Sequence, residues 1–274
     1  MKRQFTAGRW QTGLVLDVSR SLVDTAGDPA MFERNLARRV LAEVRWSITR
    51  PYTWLLGVGL NLALSLLWLL WVPLRGGSHG DWVILVGTYF AVFIMADVTT
   101  TNVLGLDAAR VRVSLARGVP VRRMLLTKNC ALLVIVGLPT LVLTAFLTVR
   151  SEIPYRLVLT LPGVALPIMA WLGVGNLASV LLPVATRPVR QRWQQRTQLL
   201  PTARWLVHLA LPYALLYAVD PVGDAATALF RSLPAGWHTA GLHGLLLLTI
   251  GAALWAAGTW LADRLVDRRG LPLR

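Results

Sequence analysis

Apolar residues in this 274-residue chain gather into long runs separated by short polar stretches. The runs are Thr53–Val72, Trp82–Leu104, Cys130–Val149, Leu157–Val184, Trp205–Val219 and Gly241–Ala262. A stretch of about 20 apolar residues, each adding about 1.5 Å to a helix, matches a hydrocarbon core of about 30 Å. The pattern therefore predicts an all-α polytopic membrane protein with six transmembrane helices. The fourth run is long enough to be tilted or broken, and the fifth is short and borrows flanking residues. A soluble domain with 55% hydrophobic residues would have no surface on which to place so many apolar stretches.

The segments outside the runs are patterned as well. Phe32, Leu36, Val40, Val44 and Ile48 recur every four residues, with Leu41 beside them and Arg34, Arg38 and Arg45 on the other side. This is an amphipathic helix ending at Arg50-Pro51. A helix of this kind just before a first span lies along the inner membrane surface, and docking on a soluble partner is the alternative. In the stretch Gly105–Asn129, a short helix from Leu106 to Arg117 is expected to stop at Gly118, with Pro120 beyond it. Arg122, Arg123 and Lys128 would then form a cytoplasmic collar for the third span. Pro221–Trp237 is too short to cross and return, yet too apolar for an exposed loop, which predicts a re-entrant hairpin on the outer side. Pro162, Pro167 and Pro212 mark expected kinks. The division is 1–52 for the lead-in and interfacial helix, 53–264 for the six-span domain and 265–274 for the tail. The first 30 residues show no clear pattern, and the chain carries no internal repeat.

Charge orients this layout. Of the 28 Lys and Arg residues, only Arg75, Arg150, Arg156 and Arg231 fall in the segments opposite the N-terminus. Positive charge stays on the cytoplasmic side during insertion, so both termini are expected inside, in a multi-pass protein of the plasma membrane. A formal net charge of +15 would point to nucleic acid in a soluble protein. Beside membrane spans, orientation and contact with anionic lipid headgroups account for it, and no nucleic-acid partner is expected. Trp68, Trp71, Trp82 and Trp237 at outer ends, and Trp54, Trp205 and Trp260 at inner ends, compose an aromatic belt. Trp171 is mid-span and belongs to packing or a cavity wall. MKRQFTAGRW lacks the apolar core of a cleaved signal, so the first span is expected to act as a signal anchor. The single cysteine, Cys130, is expected as a buried thiol.

Motifs for catalysis are missing. There is no phosphate-binding loop, no His-Glu-x-x-His and no Gly-x-Ser-x-Gly. No catalytic residue, metal ligand set or resident cofactor is assigned. Gly57-Val-Gly59 and Gly173-Val-Gly175 lie within runs and read as points of close helix packing. Asp97 is the only carboxylate inside a run, followed by Thr99, Thr100, Thr101 and Asn102. It is either a proton or cation site or a carboxylate bonded to local hydroxyls or a cytoplasmic arginine. Asn61, Asn102, Asn176 and His208 are pathway or polar-packing candidates. His79, His238, His243, Asp220 and Asp224 gather toward the outer side, at spacings that match no metal-ligand pattern.

Two segments carry a resemblance. Asn102-Val-Leu-Gly-Leu-Asp107 and Arg117-Gly-Val-Pro-Val-Arg122-Arg123, continuing to Lys128-Asn129, resemble the loop after the second span in type-2 exporter permeases of ABC transporters. That loop runs Asn-x-Phe-Gly-x-Asp, a Pro-containing turn, an Arg-Arg pair and Lys-Asn; here Leu104 stands in place of the Phe. Gly175-Asn176-Leu-Ala-Ser179-Val-Leu-Leu-Pro183-Val is similar to the end of that family's fourth span. The resemblance implies a permease subunit moving an amphipathic or hydrophobic substrate. Leu106, Asp107, Arg110, Arg112, Arg117, Pro120, Arg122 and Arg123 would couple it to a separate ATPase subunit, which would bind ATP and Mg. A second permease, identical or related, would complete the pathway. The residues by themselves leave two alternatives: a membrane enzyme acting on a lipid-linked substrate, and a proton-coupled secondary carrier using Asp97.

Overall fold

The computed structural model describes residues 35–49, 101–151, 154–184 and 199–271, together with Gly59, Ala63 and Leu67. The lead-in, the rest of the first run, most of the second, and with them Asn61 and Asp97, lie outside the described residues, as does the side chain of His208. The described residues hold, in order, α1 (Leu36–Thr49), α2 (Ala108–Ala116), α3 (Val121–Leu132), α4 (Leu138–Ser151), α5 (Leu157–Leu181), α6 (Leu199–Ser232) and α7 (Ala240–Arg269). There is no strand among the described residues. Among the described residues three helical stretches are long and apolar enough to cross a membrane: Val121–Arg150, Pro154–Leu181 and Ala240–Arg269.

α3 and α4 form one continuous rod through a π-helical turn at Leu133–Gly137. The N–H of Leu138 bonds the carbonyl of Leu133, five residues back. Pro139 supplies the reason, since it has no N–H to offer the turn below, and the wider turn absorbs the defect. α4 also carries Thr140, Thr144 and Thr148, all buried. Each hydroxyl donates to the carbonyl four residues earlier at 2.8 Å, so no polar group is stranded in the apolar layer. Leu138, Val142, Phe146 and Val149 hold the opposite, exposed stripe.

α5 is apolar on every side, which suits only a helix surrounded by others. It packs against α4, α6 and above all α7. Trp171, 1% exposed, sits with Val164, Ile168 and Leu172 in the core. The α5–α7 seam is lined by glycine: Gly244, Gly251 and Gly258 recur at seven-residue spacing on α7 and are buried. A Cβ at Gly258 would lie 2.5 Å from the carbonyl oxygen of Gly173, and one at Gly173 would lie 2.6 Å from that of Leu254. Backbone meets backbone there, as expected of Gly173, and α5 passes through Pro162 and Pro167 as continuous helix.

Three expectations change. α6 continues to Ser232, so Pro221 onward prolongs the fifth run's helix, and the chain turns only near Leu233–Thr239. A helical hairpin within Pro221–Trp237 is therefore not what forms; Ala, Leu and Phe in this segment support unbroken helix equally well. α1 turns a charged face inward, with Arg39 and Glu43 buried while Leu36, Leu41 and Ile48 stay exposed. Lys128 is not part of an outward collar but is buried.

Candidate functional site

The polar centre lies where α1, α2 and α3 meet. α2 is a short helix closed by Gly118, at φ +77°, a conformation that favours glycine. The N–H of Gly118 bonds Leu115 O at 2.9 Å and that of Val119 bonds Ser114 O at 3.0 Å, a Schellman closure. Pro120 then leads into α3. The first turn of α3 is capped from a distance: the N–H of Arg122 donates to Asp263 Oδ1 on α7 at 3.0 Å.

Behind α2, four charges are interlocked. Arg110 donates through Nη2 to Glu43 Oε2 at 3.0 Å and through Nη1 to Asp107 Oδ2 at 3.4 Å. Lys128 Nζ donates to Glu43 Oε1 at 2.8 Å and to Asp107 Oδ2 at 2.7 Å. No side chain of the four is more than 5% exposed. Trp46 closes the α1 side, with the Arg110 guanidinium carbon 4.5 Å and Lys128 Nζ 5.7 Å from its ring centroid. Two carboxylates and two cations leave no net charge inside. Burial alone would raise the Glu43 carboxyl, but Lys128 and Arg110 outweigh it and hold the group below the usual carboxylate range. Asp107 moves the other way: burial and the neighbouring Glu43 charge outweigh Lys128 and Arg110. Its Oδ1 has no hydrogen-bond partner.

The candidate coupling residues thus divide. Asp107 and Arg110 face inward, and Leu106 and Arg123 are half-buried. Arg112, Arg117, Pro120 and Arg122 are exposed, with Ala116 and Gly118 between them. Glu43 and Trp46, which no motif marks, complete the network together with Lys128, expected as a collar residue. The available signal was weak: Glu43 is the one acid in the Arg-rich helix α1, three residues before Trp46.

The remaining polar candidates knit helices together. The side-chain amide of Asn102 donates to Val184 O at 2.6 Å and accepts from Val184 N at 3.1 Å. Ser179 Oγ donates to Thr101 O at 2.8 Å, and Asn176 Nδ2 to Thr259 Oγ1 on α7 at 2.9 Å. A Cβ at Gly105 would collide with Asn102 Oδ1 and lie 2.7 Å from Val184 O. The spacing Asn102, Gly105, Asp107 thereby acquires a physical reason: the amide clamps residue 184, the glycine leaves room for it, and the carboxylate enters the charge network. Asn102→Asp is expected to lower stability by about 1–3 kcal/mol, since a carboxylate cannot donate to Val184 O. Thermal unfolding of the detergent-solubilised protein measures this, and an unchanged midpoint would show that the clamp contributes nothing. At the other end, Phe230 stacks on His243 at 4.5 Å and lies 5.3 Å from His238. Among the described residues no group of three His, Cys, Asp or Glu is placed to hold a metal.

The fold and its polar centre define an all-α protein built to sit in a membrane. No protein-family model, curated protein or solved structure matches the chain.

Proposed function

We propose that this chain is the permease subunit of an ATP-driven ABC exporter of the type-2 class, moving an amphipathic or hydrophobic substrate. In this reading six spans cross the plasma membrane with both termini in the cytoplasm, and two permeases frame the pathway. A separate ATPase subunit, which binds ATP and Mg, seats on α2.

One observation carries the reading beyond the resemblance: α2 is fixed from behind and carries exposed arginines in front. The buried network of Glu43, Asp107, Arg110 and Lys128 ties α2 to α1 and to the foot of the α3–α4 rod. The Asp263 contact ties that same foot to α7. A load applied to the exposed tip at Arg112, Arg117, Pro120 and Arg122 would therefore pass into apolar helices instead of being lost in a loose loop. Coupling between distant sites needs such a physically continuous element.

Charge reversal at both Arg112 and Arg117 is expected to weaken co-purification of the ATPase by about tenfold, because a few contacts dominate small interfaces. The fold should survive, since both residues are exposed. Wild-type association and substrate-stimulated ATP hydrolysis in the double variant would remove α2 as the coupling element. If no ATPase associates with the unmodified chain, the exporter reading falls and an enzyme acting on lipid-linked substrates takes its place.

A further inference from the structure

Arg39 is the charged group that the network leaves out. It is 8% exposed, on the inward face of α1. Its Nε and Nη1 are fully enclosed and have no hydrogen-bond partner. Burial, and then the charge of Arg123, draw its pKa below the usual guanidinium range. Glu43, one turn along α1, is already engaged by Arg110 and Lys128. Among the described residues no counter-ion meets it, and because a buried cation so placed is strongly unfavourable, an anion bound there would offset the cost. Guanidinium groups match the paired oxygens of phosphate in particular.

We propose that Arg39, with Arg123 beside it, is a binding site for the phosphate headgroup of an anionic phospholipid in the cytoplasmic leaflet. The same helix supplies the rest of a lipid contact. Leu36, one turn before Arg39, is exposed on α1 and offers an apolar surface to an acyl chain. Arg38 and Arg45, also exposed, add positive potential along it. A free phosphate would satisfy the guanidinium alone and leave that apolar surface uncovered. The inference rests on the proposed orientation, with α1 at the cytoplasmic face, and does not depend on the ATPase.

The test uses the purified full chain in neutral detergent, with native mass spectrometry and thermal unfolding in parallel. Phosphatidylglycerol is expected to bind and stabilise the protein, about tenfold more tightly than phosphatidylcholine, given the strength of charge-assisted phosphate contacts. Arg39→Gln should abolish that preference, Arg123→Gln should reduce it, and Arg269→Gln, at the far end of α7, should keep it. In lipid-free detergent Arg39→Met should raise the melting temperature, because it removes an uncompensated charge while keeping side-chain length. Equal binding of phosphatidylglycerol by wild type and Arg39→Gln would overturn the proposal. So would a lower lipid-free melting temperature for Arg39→Met, which would mean that the guanidinium is already paired. Stabilisation by inorganic phosphate equal to that by phosphatidylglycerol would reassign the site to a free anion. No arm involves an ATPase, so failure here leaves the exporter reading standing, and loss of that reading leaves this site standing.

Discussion

Lys128→Met is expected to be among the most damaging single substitutions in this protein, costing about 3–5 kcal/mol. It would leave the carboxylates of Glu43 and Asp107 buried together with Arg110 as their only cation. The loss should appear first at α1, which packs chiefly on α3. Faster hydrogen exchange or proteolysis across Leu36–Thr49, with a lower melting temperature, is the expected signature. Adding Glu43→Gln to Lys128→Met restores charge balance, because one acid and one base are then gone. The double variant should therefore be more stable than the sum of the two single losses by about 0.5–3 kcal/mol, the range for residues sharing one network. Strict additivity would mean that these charges do not meet.

The second large effect lies at the glycine seam. Gly258→Val should push α5 and α7 apart, because its Cβ would lie 2.5–2.6 Å from three backbone atoms of Gly173, and no flexible side chain is there to yield. Overpacking typically costs about 1–3 kcal/mol, and backbone contact places this case at or above the upper end. Aggregation on size-exclusion chromatography and loss of the folded fraction are the expected readouts. Gly163→Ala is the control within the same pair of helices. Nothing lies within 4 Å of a Cβ at that position. A helix-interior Gly is about 0.5–1 kcal/mol less favourable than Ala, so this change should be neutral or stabilising. If Gly258→Val is tolerated as well as Gly163→Ala, the α5–α7 contact is not as close as described.

Charge reversal at Asp107 needs care as a probe of a partner. The residue is 7% exposed and bonded to Lys128 and Arg110. A change there would break the internal network whether or not anything docks on α2. The exposed arginines test docking without that confusion.

Local features of the fold were legible along the chain. The end of α2 at Gly118, the helix before the first run and the apolar character of the third, fourth and sixth runs each depend on residues a few positions apart. Period, capping and hydropathy report such things directly. α6 shows where that kind of reading stops: Pro221 marks a break in the hydropathy pattern, yet the helix runs from Leu199 to Ser232. Pro139 leaves no mark in the hydropathy pattern, and its cost is absorbed in a π turn that only the backbone reveals. The inward face of α1 was likewise invisible, because an arginine bound for burial and one bound for water are spelled the same way.

Membrane character and the end of α2 were therefore legible in the sequence, because hydrophobic transfer and backbone preference are properties of residues and near neighbours. Tertiary structure alone decided which charges became internal. Glu43 meets Lys128 from 85 positions away, and Asn102 reaches Val184 across 82. The balance of desolvation against attraction exists only once those partners touch. The same holds for Arg39, whose burial without a hydrogen-bond partner at Nε and Nη1 among the described residues appears only in the folded chain.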